Sequence, residues 1–463
     1  MVEVLQIETP TLGDRSYLAH DGSVAVVIDP QRDIDRVTAL AGRLGVRITH
    51  VAETHIHNDY VSGGLALSSE AGAAYLVSAA DPVTFGREPV RDGDVVQIGP
   101  VLRLRALATP GHTFNHLSYV LEAGGQVAGV FTGGSLLFGS TGRPDLLGPA
   151  STPALARAQH ASARRLAREL PDSAEIFPTH GFGSFCAATQ AQSASSTIGQ
   201  EKQGNPALTL DQEAYVEALL AGLDVYPSYY ARMGPANRAG PGRADLSPPR
   251  PAGADQIRRA IESGEWVVDL RDRVAFCAGY VPGSVSFPVD GSFATYLGWV
   301  LPWGTPVTLL GETGEQVARA QRELARIGID RPAGAAPGRP EQWSGGRPLA
   351  RLRRATFGDL AAAAGQGGQG GQLVILDVRR RLEWEDGHVA GASHIPFSEL
   401  PGRAGELPPG EVWVYCQSGY RATVAASLLA ARGRQVVSVD EDFDRAGPAG
   451  LTLASSRAPA PGA

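Results

Sequence analysis

Short apolar runs and helical periodicities alternate along most of the chain. Val24-Ala25-Val26-Val27-Ile28 is a continuous apolar run that stops at Asp29-Pro30, which predicts a buried strand ending in a turn. Residues 34–45 then space their apolar positions as a helix does, and residues 48–52 predict the next strand. Mixed α/β structure is therefore expected as far as about Cys186. Residues 187–235 carry helical patterns, for example at 212–223, with Tyr226, Tyr229 and Tyr230 among them, and are read as helices closing this first domain. Between Gly234-Pro235-Ala236 and Pro251-Ala252-Gly253 the chain becomes dense in Pro and Gly, the composition of a linker.

Two stretches of matching layout follow. In the first, a helical pattern at 255–263 leads to the strand-like Trp266-Val267-Val268-Asp269-Leu270-Arg271, then to Gly279-Tyr280-Val281-Pro282-Gly283 and Phe287-Pro288. In the second, Leu373-Val374-Ile375-Leu376-Asp377-Val378-Arg379 leads to Gly387-His388-Val389-Ala390-Gly391-Ala392 and Ile395-Pro396. This is an internal repeat of about one hundred residues, the size of an independent α/β domain with a parallel sheet. The Gly-rich stretch 365–371 reads as a surface loop within the second copy.

A chain of 463 residues has room for about three domains, each with its own core. Its 41 basic and 48 acidic side chains leave a net charge of −7, and Lys202 is the only lysine. That balance argues against a nucleic-acid or anionic-membrane partner. No long uncharged apolar stretch predicts a membrane span, and Met1-Val2-Glu3-Val4 lacks the regions of a signal peptide, so a cytoplasmic location is expected. Cys186, Cys277 and Cys416 are too few and too far apart for a disulfide framework. Eight of the ten histidines precede residue 181, which points to a metal or acid–base site in the first domain.

The sharpest chemical feature is Val412-Trp413-Val414-Tyr415-Cys416-Gln417-Ser418-Gly419-Tyr420-Arg421, followed by a helical pattern at 422–431. A strand delivers Cys416 into a tight loop whose glycine permits unusual dihedrals, above a helix N-terminus. The amides of Gln417, Ser418, Gly419 and Tyr420 would cradle a thiolate or a sulfur-bound anion there, with Arg421 adding charge or fixing the loop. The bland alternative is a buried strand-end cysteine, which is how Cys277 reads.

This loop resembles that of the rhodanese family, whose Cys-x-x-Gly-x-Arg turn carries a transferable sulfur. The family's Asp-x-Arg strand and Gly-His-Ile-x-Gly-Ala segment match Asp377-Val378-Arg379 and Gly387-His388-Val389-Ala390-Gly391-Ala392. Val439-Asp440-Glu441-Asp442-Phe443 departs from it, since the family has a Gly-Gly-Phe turn there. The earlier copy, aligned on the loop, places Gly311 at the Cys416 position and Gln316 at the Arg421 position, so it resembles a rhodanese-like domain without its nucleophile.

In the first domain, Thr54-His55-Ile56-His57-Asn58-Asp59-Tyr60 follows a strand, and His112 and His180 lie in Thr109-Pro110-Gly111-His112 and Phe177-Pro178-Thr179-His180-Gly181. All four histidines fall at strand-to-turn junctions, where metal ligands are displayed. The pattern resembles the metallo-β-lactamase fold. Together with Gly142-Arg143-Pro144-Asp145 it is most similar to the persulfide dioxygenase branch, including members fused to rhodanese domains. That resemblance implies Fe(II) held by His55, His112 and an aspartate, but Tyr60 stands where the fold has its last motif histidine and Gly134 stands where the aspartate belongs. An aspartate restored at 134 would complete that set. His55, His57 and His112 remain as three imidazoles for Zn(II) with one open position, and Asp59 or His180 is a substitute ligand. Asp59 otherwise orients its neighbours, and the bland alternative is a metal-free domain.

The resulting expectation is an α/β multidomain chain with four segments. Residues 1–235 form a metallo-β-lactamase αββα sandwich with a degenerate metal site, and 236–254 a linker. Residues 255–345 form a rhodanese-like domain lacking the cysteine, and 355–455 a rhodanese domain. Cys416 is expected to take sulfur from thiosulfate or a low-molecular-weight persulfide and pass it to a thiol or cyanide. The alternatives are an iron-dependent persulfide dioxygenase, a zinc-dependent thioester-type hydrolase and a non-catalytic persulfide-binding scaffold. A homo-oligomer is left open.

Overall fold

The computed structural model describes residues 2–190, 193–365 and 373–456, so residues 366–371 of the expected Gly-rich loop lie outside the described residues. The chain divides into two compact units, one of Met1–Asp245 with Glu323–Asp330, the other of Leu246–Arg322 with Arg331–Ala463.

The first unit holds two sheets. One has six strands in the order Glu3–Thr9, Asp14–His20, Val24–Ile28, Arg47–Ala52, Ala74–Ser78 and Glu88–Val90. The other has five, in the order Glu175–Pro178, Gln126–Gly133, Leu117–Ala123, Leu102–Ala108 and Val95–Gln97. Tyr17, Ile28, Leu76, Leu104, Tyr119 and Phe131 are buried between them. On the outer face of the first sheet, Leu18, Val27 and Val51 pack with Val37 and Leu67 from the helices Asp35–Leu44 and Gly64–Ala71. On the outer face of the second, Val120, Val130 and Ile176 pack with Ala156 and Leu166 of the helix Thr152–Glu169. The continuous apolar run at 24–28 follows from this, because that strand is covered on both faces. The layers are those of an αββα sandwich.

The helix Tyr230–Ala239 runs through Pro235, so the Pro-rich stretch begins as helix rather than linker. Asn237 explains why. Its Nδ2 donates to the carbonyls of His57 and Tyr60, each at 2.8 Å, and its Oδ1 accepts from the Ser62 N–H at 2.8 Å. Those bonds hold the helix beyond the point where proline removes one of its own.

The second unit contains the repeat as two parallel sheets. The first has the order Val285–Ser286, Trp266–Asp269, Val307–Gly311 and Gly334–Pro337. The second has the order Arg353–Ala355, Val436–Val439, Glu411–Tyr415, Leu373–Asp377 and Ser393–His394. The copies share a device. Arg271 Nη2 lies 2.6 Å from Asp269 and donates to the Gly279 carbonyl at 2.8 Å. Likewise Arg379 Nη2 lies 2.8 Å from Asp377 and donates to the Gly387 carbonyl. Among the described residues no helix is long and apolar enough to cross a membrane.

Candidate functional site

The strand Val24–Ile28 ends at Asp29, a non-glycine residue in the left-handed region with φ of +52°. Its carboxylate gathers two other loops. It accepts from the Thr54 N–H and hydroxyl, both at 2.7 Å, and from the Thr179 hydroxyl, and it lies 3.3 Å from His57 Nε2. The motif histidines are thereby fixed at the ends of strands that come from opposite sheets.

Five buried imidazoles meet there: His55, His57, His112, His116 and His180. Ring centroids of His55 and His112 are 4.8 Å apart, of His112 and His180 5.1 Å, and of His55 and His180 5.5 Å. The Nδ1 atoms of these three are occupied. His180 Nδ1 is 2.9 Å from Asp14, His112 Nδ1 is 2.8 Å from the Arg143 carbonyl, and His55 Nδ1 is 2.8 Å from the Thr54 hydroxyl. Because that hydroxyl donates to Asp29, it accepts from His55. The Nε2 atoms of all three are buried and have no hydrogen-bond partner, and one ligand atom from each lies within 4.8 Å of the others. Buried orphan nitrogens are costly unless they serve a ligand, and this donor set fits a divalent metal.

His116 faces elsewhere, and His57 turns its Nε2 away while its Nδ1 is buried without a partner. His57 Nε2 lies 3.2 Å from Glu53, 3.3 Å from Asp29 and 3.0 Å from the Tyr60 hydroxyl. Burial opposes its charge, but the two carboxylates outweigh burial and hold its pKa well above the usual imidazole range. Tyr60, in place of a motif histidine, stacks on the His57 ring with centroids 4.3 Å apart. His116 accepts from the Gly134 N–H at 3.0 Å through Nε2 and meets the Thr109 hydroxyl at 2.9 Å through Nδ1. Burial drives it down to about 3, so it is neutral. Asp59 Oδ2 is 3.3 Å from His180 Nδ1. Burial disfavours His180's charge, yet Asp59 and Asp14 raise its pKa to about 9. Asp59 also forms a potential ligand group with His57 and His180.

Gly134 has a meaning that its position in the sequence does not reveal. A Cβ there would penetrate the His112 ring at Cδ2 and approach Cγ to 2.6 Å. The glycine therefore makes room for His112, and an aspartate at 134 does not fit beside the ring as it stands. Arg143 and Asp145 form a double hydrogen bond, each contact 2.7 Å, which anchors the segment whose carbonyl holds His112. Asp29, Glu53, Asp14 and His116 were missed by sequence reasoning. Only Asp29, directly after an apolar strand, carried a local signal.

In the second unit, Cys416 follows the strand Glu411–Tyr415 and is 1% exposed. Gly419 has φ of +87° and caps the helix Tyr420–Ala430, and a Cβ there would collide with Asp440. The Gln417 carbonyl accepts from the Phe443 N–H at 2.9 Å, tying the turn to the acidic segment. Asp440 itself accepts from Arg273 at 2.7 Å and Arg354 at 2.5 Å. Arg421 does not reach into the turn. Its guanidinium binds Glu383 through two contacts of 2.7 Å. Tyr420 donates to the Pro288 carbonyl at 3.0 Å, and Tyr296 packs on Tyr420 and Phe397 with centroids 5.6 and 5.5 Å apart. The first copy thus contributes to the surroundings of the second copy's turn. In that first copy, Gln316 accepts from the Glu312 N–H at 2.7 Å and donates to the Leu270 carbonyl at 2.9 Å, filling its own turn. Burial pushes the Cys277 thiol up to about 12 and the Cys186 thiol well above its ordinary value, so both are inert.

Residues 12–180 match the metallo-beta-lactamase superfamily and residues 360–445 match the rhodanese-like domain. The structure of a metallo-beta-lactamase from Staphylococcus aureus, 29% identical, superposes with a TM-score of 0.65 over 73% of this chain and 99% of its own. The human mitochondrial persulfide dioxygenase ETHE1 is 30% identical over 213 residues, 46% of this chain and 75% of that protein. A hydroxyacylglutathione hydrolase from a Polaromonas species is 31% identical over 161 residues, 34% of this chain and 57% of that protein. Fold and histidine cluster together define a metallo-β-lactamase-type domain coupled to a rhodanese-like one. Within that superfamily, the chain belongs to the persulfide dioxygenase family.

Proposed function

We propose that the chain handles sulfane sulfur, with Cys416 as its carrier. The observation behind this reading is the turn after Cys416. Among the described residues, none accepts a hydrogen bond from the backbone N–H of Gln417, Ser418 or Gly419, and these groups sit at the start of an 11-residue helix. Such donors stabilise a thiolate and equally the terminal sulfur of a persulfide. The thiolate attacks the sulfane sulfur of thiosulfate, the S–S bond breaks, and sulfite leaves with the bonding pair. A thiol or cyanide acceptor then attacks the outer sulfur, and the Cys416 thiolate departs unchanged. Arg421 is committed to Glu383, so it fixes the helix start and leaves the anion to the amides.

The test is mass spectrometry of the full chain after incubation with thiosulfate. A gain of one sulfur atom on Cys416, removed by cyanide, with parallel double-reciprocal plots, supports the reading. Intersecting plots without a sulfur-loaded protein overturn it, as does full activity in Cys416→Ser. Loading without turnover marks a scaffold instead.

A second reading concerns the first unit, where family membership and three orphan Nε2 atoms favour metal-dependent oxidation of a low-molecular-weight persulfide. Bound Fe(II) would supply redox chemistry toward dioxygen, and bound Zn(II) Lewis acidity for hydrolysis. Asp14, the Arg143 carbonyl and Thr54 orient the imidazoles for either ion. Iron in the purified chain with oxygen uptake on glutathione persulfide supports oxidation. Zinc with thioester hydrolysis and no oxygen uptake overturns it.

A further inference from the structure

We infer that the metal position of the first unit is a three-imidazole site made by His55, His112 and His180, with His180 replacing the carboxylate that Gly134 cannot supply. The inference deepens the second reading above and rests on it.

Three independent features converge on this set. The first is orientation: each of the three rings has an acceptor at Nδ1, which turns Nε2 toward the cluster, and each Nε2 is buried without a partner. The second is the kind of acceptor. His180 leans on the Asp14 carboxylate and His112 on a backbone carbonyl, the two outer partners that most often fix a metal-binding histidine. The third is steric. With no side chain at 134, the His112 ring occupies the space beside that residue, where its centroid is 5.1 Å from that of His180. Loss of the aspartate and recruitment of His180 are then one rearrangement.

The competing ligand His57 holds its Nε2 among Glu53, Asp29 and Tyr60, and its Nδ1 is buried without a partner. Its ligand atoms group within 4.8 Å with those of Asp29 and His55 and with those of Asp59 and His180, whereas those of His112 group with His55 and His180. His116 is excluded because its two ring nitrogens are both hydrogen-bonded. The site differs in charge as well as in members. Three neutral imidazoles bring no charge to a divalent ion, whereas a site with two histidines and one carboxylate would already have spent half of it, and the nearest unpartnered buried carboxylate is Asp59, 3.3 Å from His180 Nδ1.

The experiment is proton NMR of the full chain produced in Co(II)-supplemented medium, so that cobalt is present as the chain folds and takes the place of the native metal. Each ligand histidine that keeps its Nδ1–H contributes one far-shifted resonance that disappears in deuterium oxide. Three such resonances are expected. His180→Ala should remove one of them and weaken cobalt binding by on the order of 10²-fold or more. If that variant does not fold, His57→Ala decides instead: it should leave all three resonances in place, and loss of one overturns the assignment to His180. Two exchangeable resonances, or a His180→Ala spectrum identical to the parent's, overturn the three-imidazole site while leaving a metal-dependent first unit standing. Failure to take up cobalt overturns both.

Discussion

The two Nη atoms of Arg421 each lie 2.7 Å from an oxygen of Glu383. The pair joins the first turn of the helix behind Cys416 to the helix Arg381–Asp386. Burial alone would raise the Glu383 pKa, but Arg421 outweighs it and lowers the carboxyl to about 2. A carboxylate depressed on folding adds stability above its unfolded value, and that stability is lost as pH falls through the folded value. Glu383→Gln should therefore cost roughly 2 kcal/mol at neutral pH, with the difference from the parent constant from pH 8 to 5 and vanishing between about pH 4.5 and 2. Urea denaturation across that range measures it, and a pH-independent difference would contradict the assignment.

Gly419→Ala tests the turn itself. A methyl group at φ of +87° is strained and would meet the Asp440 carboxylate, which is held by Arg273 and Arg354. Sulfur loading of Cys416 should fall at least tenfold, about 1.4 kcal/mol or more in transition-state terms, while metal content of the first unit stays unchanged. Equal loading in variant and parent would show that the turn tolerates the change.

Gly134→Asp should lower metal content and thermal stability, although on the sequence it restores a missing ligand. The new Cβ must displace His112, an overpacking cost of about 1–3 kcal/mol. Elemental analysis of parent and variant purified side by side decides the matter. A gain of metal in the variant would mean that His112 swings back at little cost.

Asn237→Ala removes the acceptor or donor of three buried backbone groups in the His57–Ser62 segment, each bond being 2.8 Å. The expected loss is roughly 2–4 kcal/mol, read as a lower melting temperature. Asn237→Asp should be nearly as harmful, since it keeps the acceptor and loses the two donors. Parent-like stability in both variants would contradict the role given to Asn237.

How far the sequence carried depends on how local each feature is. The Cys416 turn was legible because strand, thiol, glycine and helix are contiguous, and one glycine at 419 explains its shape. The repeat was legible because Asp269-x-Arg271 and Asp377-x-Arg379 recur with the same spacing to Gly279 and Gly387. The histidine cluster was legible only as a roster. Which nitrogens face inward depends on Asp14 with His180 and on Asp29 with Thr179, pairs separated by 166 and 150 residues. His57 looked equivalent to His55 because both follow the same strand. Glu53 and Asp29, which engage its Nε2, lie on different strands' ends. Pro235 looked like the start of a linker, and only the reach of Asn237 across 180 residues to His57 shows why the helix continues.

The imidazole cluster is also deeply buried. His55, His112 and His180 are at most 2% exposed, and their hydrogen-bonded supports are buried with them. An ion, like any substrate it is to meet, reaches the cluster by way of the surrounding loops, and Asp29 ties two of them together through Thr54 and Thr179. Residence time, rather than affinity, then governs which metal is found in the protein. The ion present while the chain folds is the one it keeps, and a chelator added later removes it at the rate of loop opening, independent of chelator concentration.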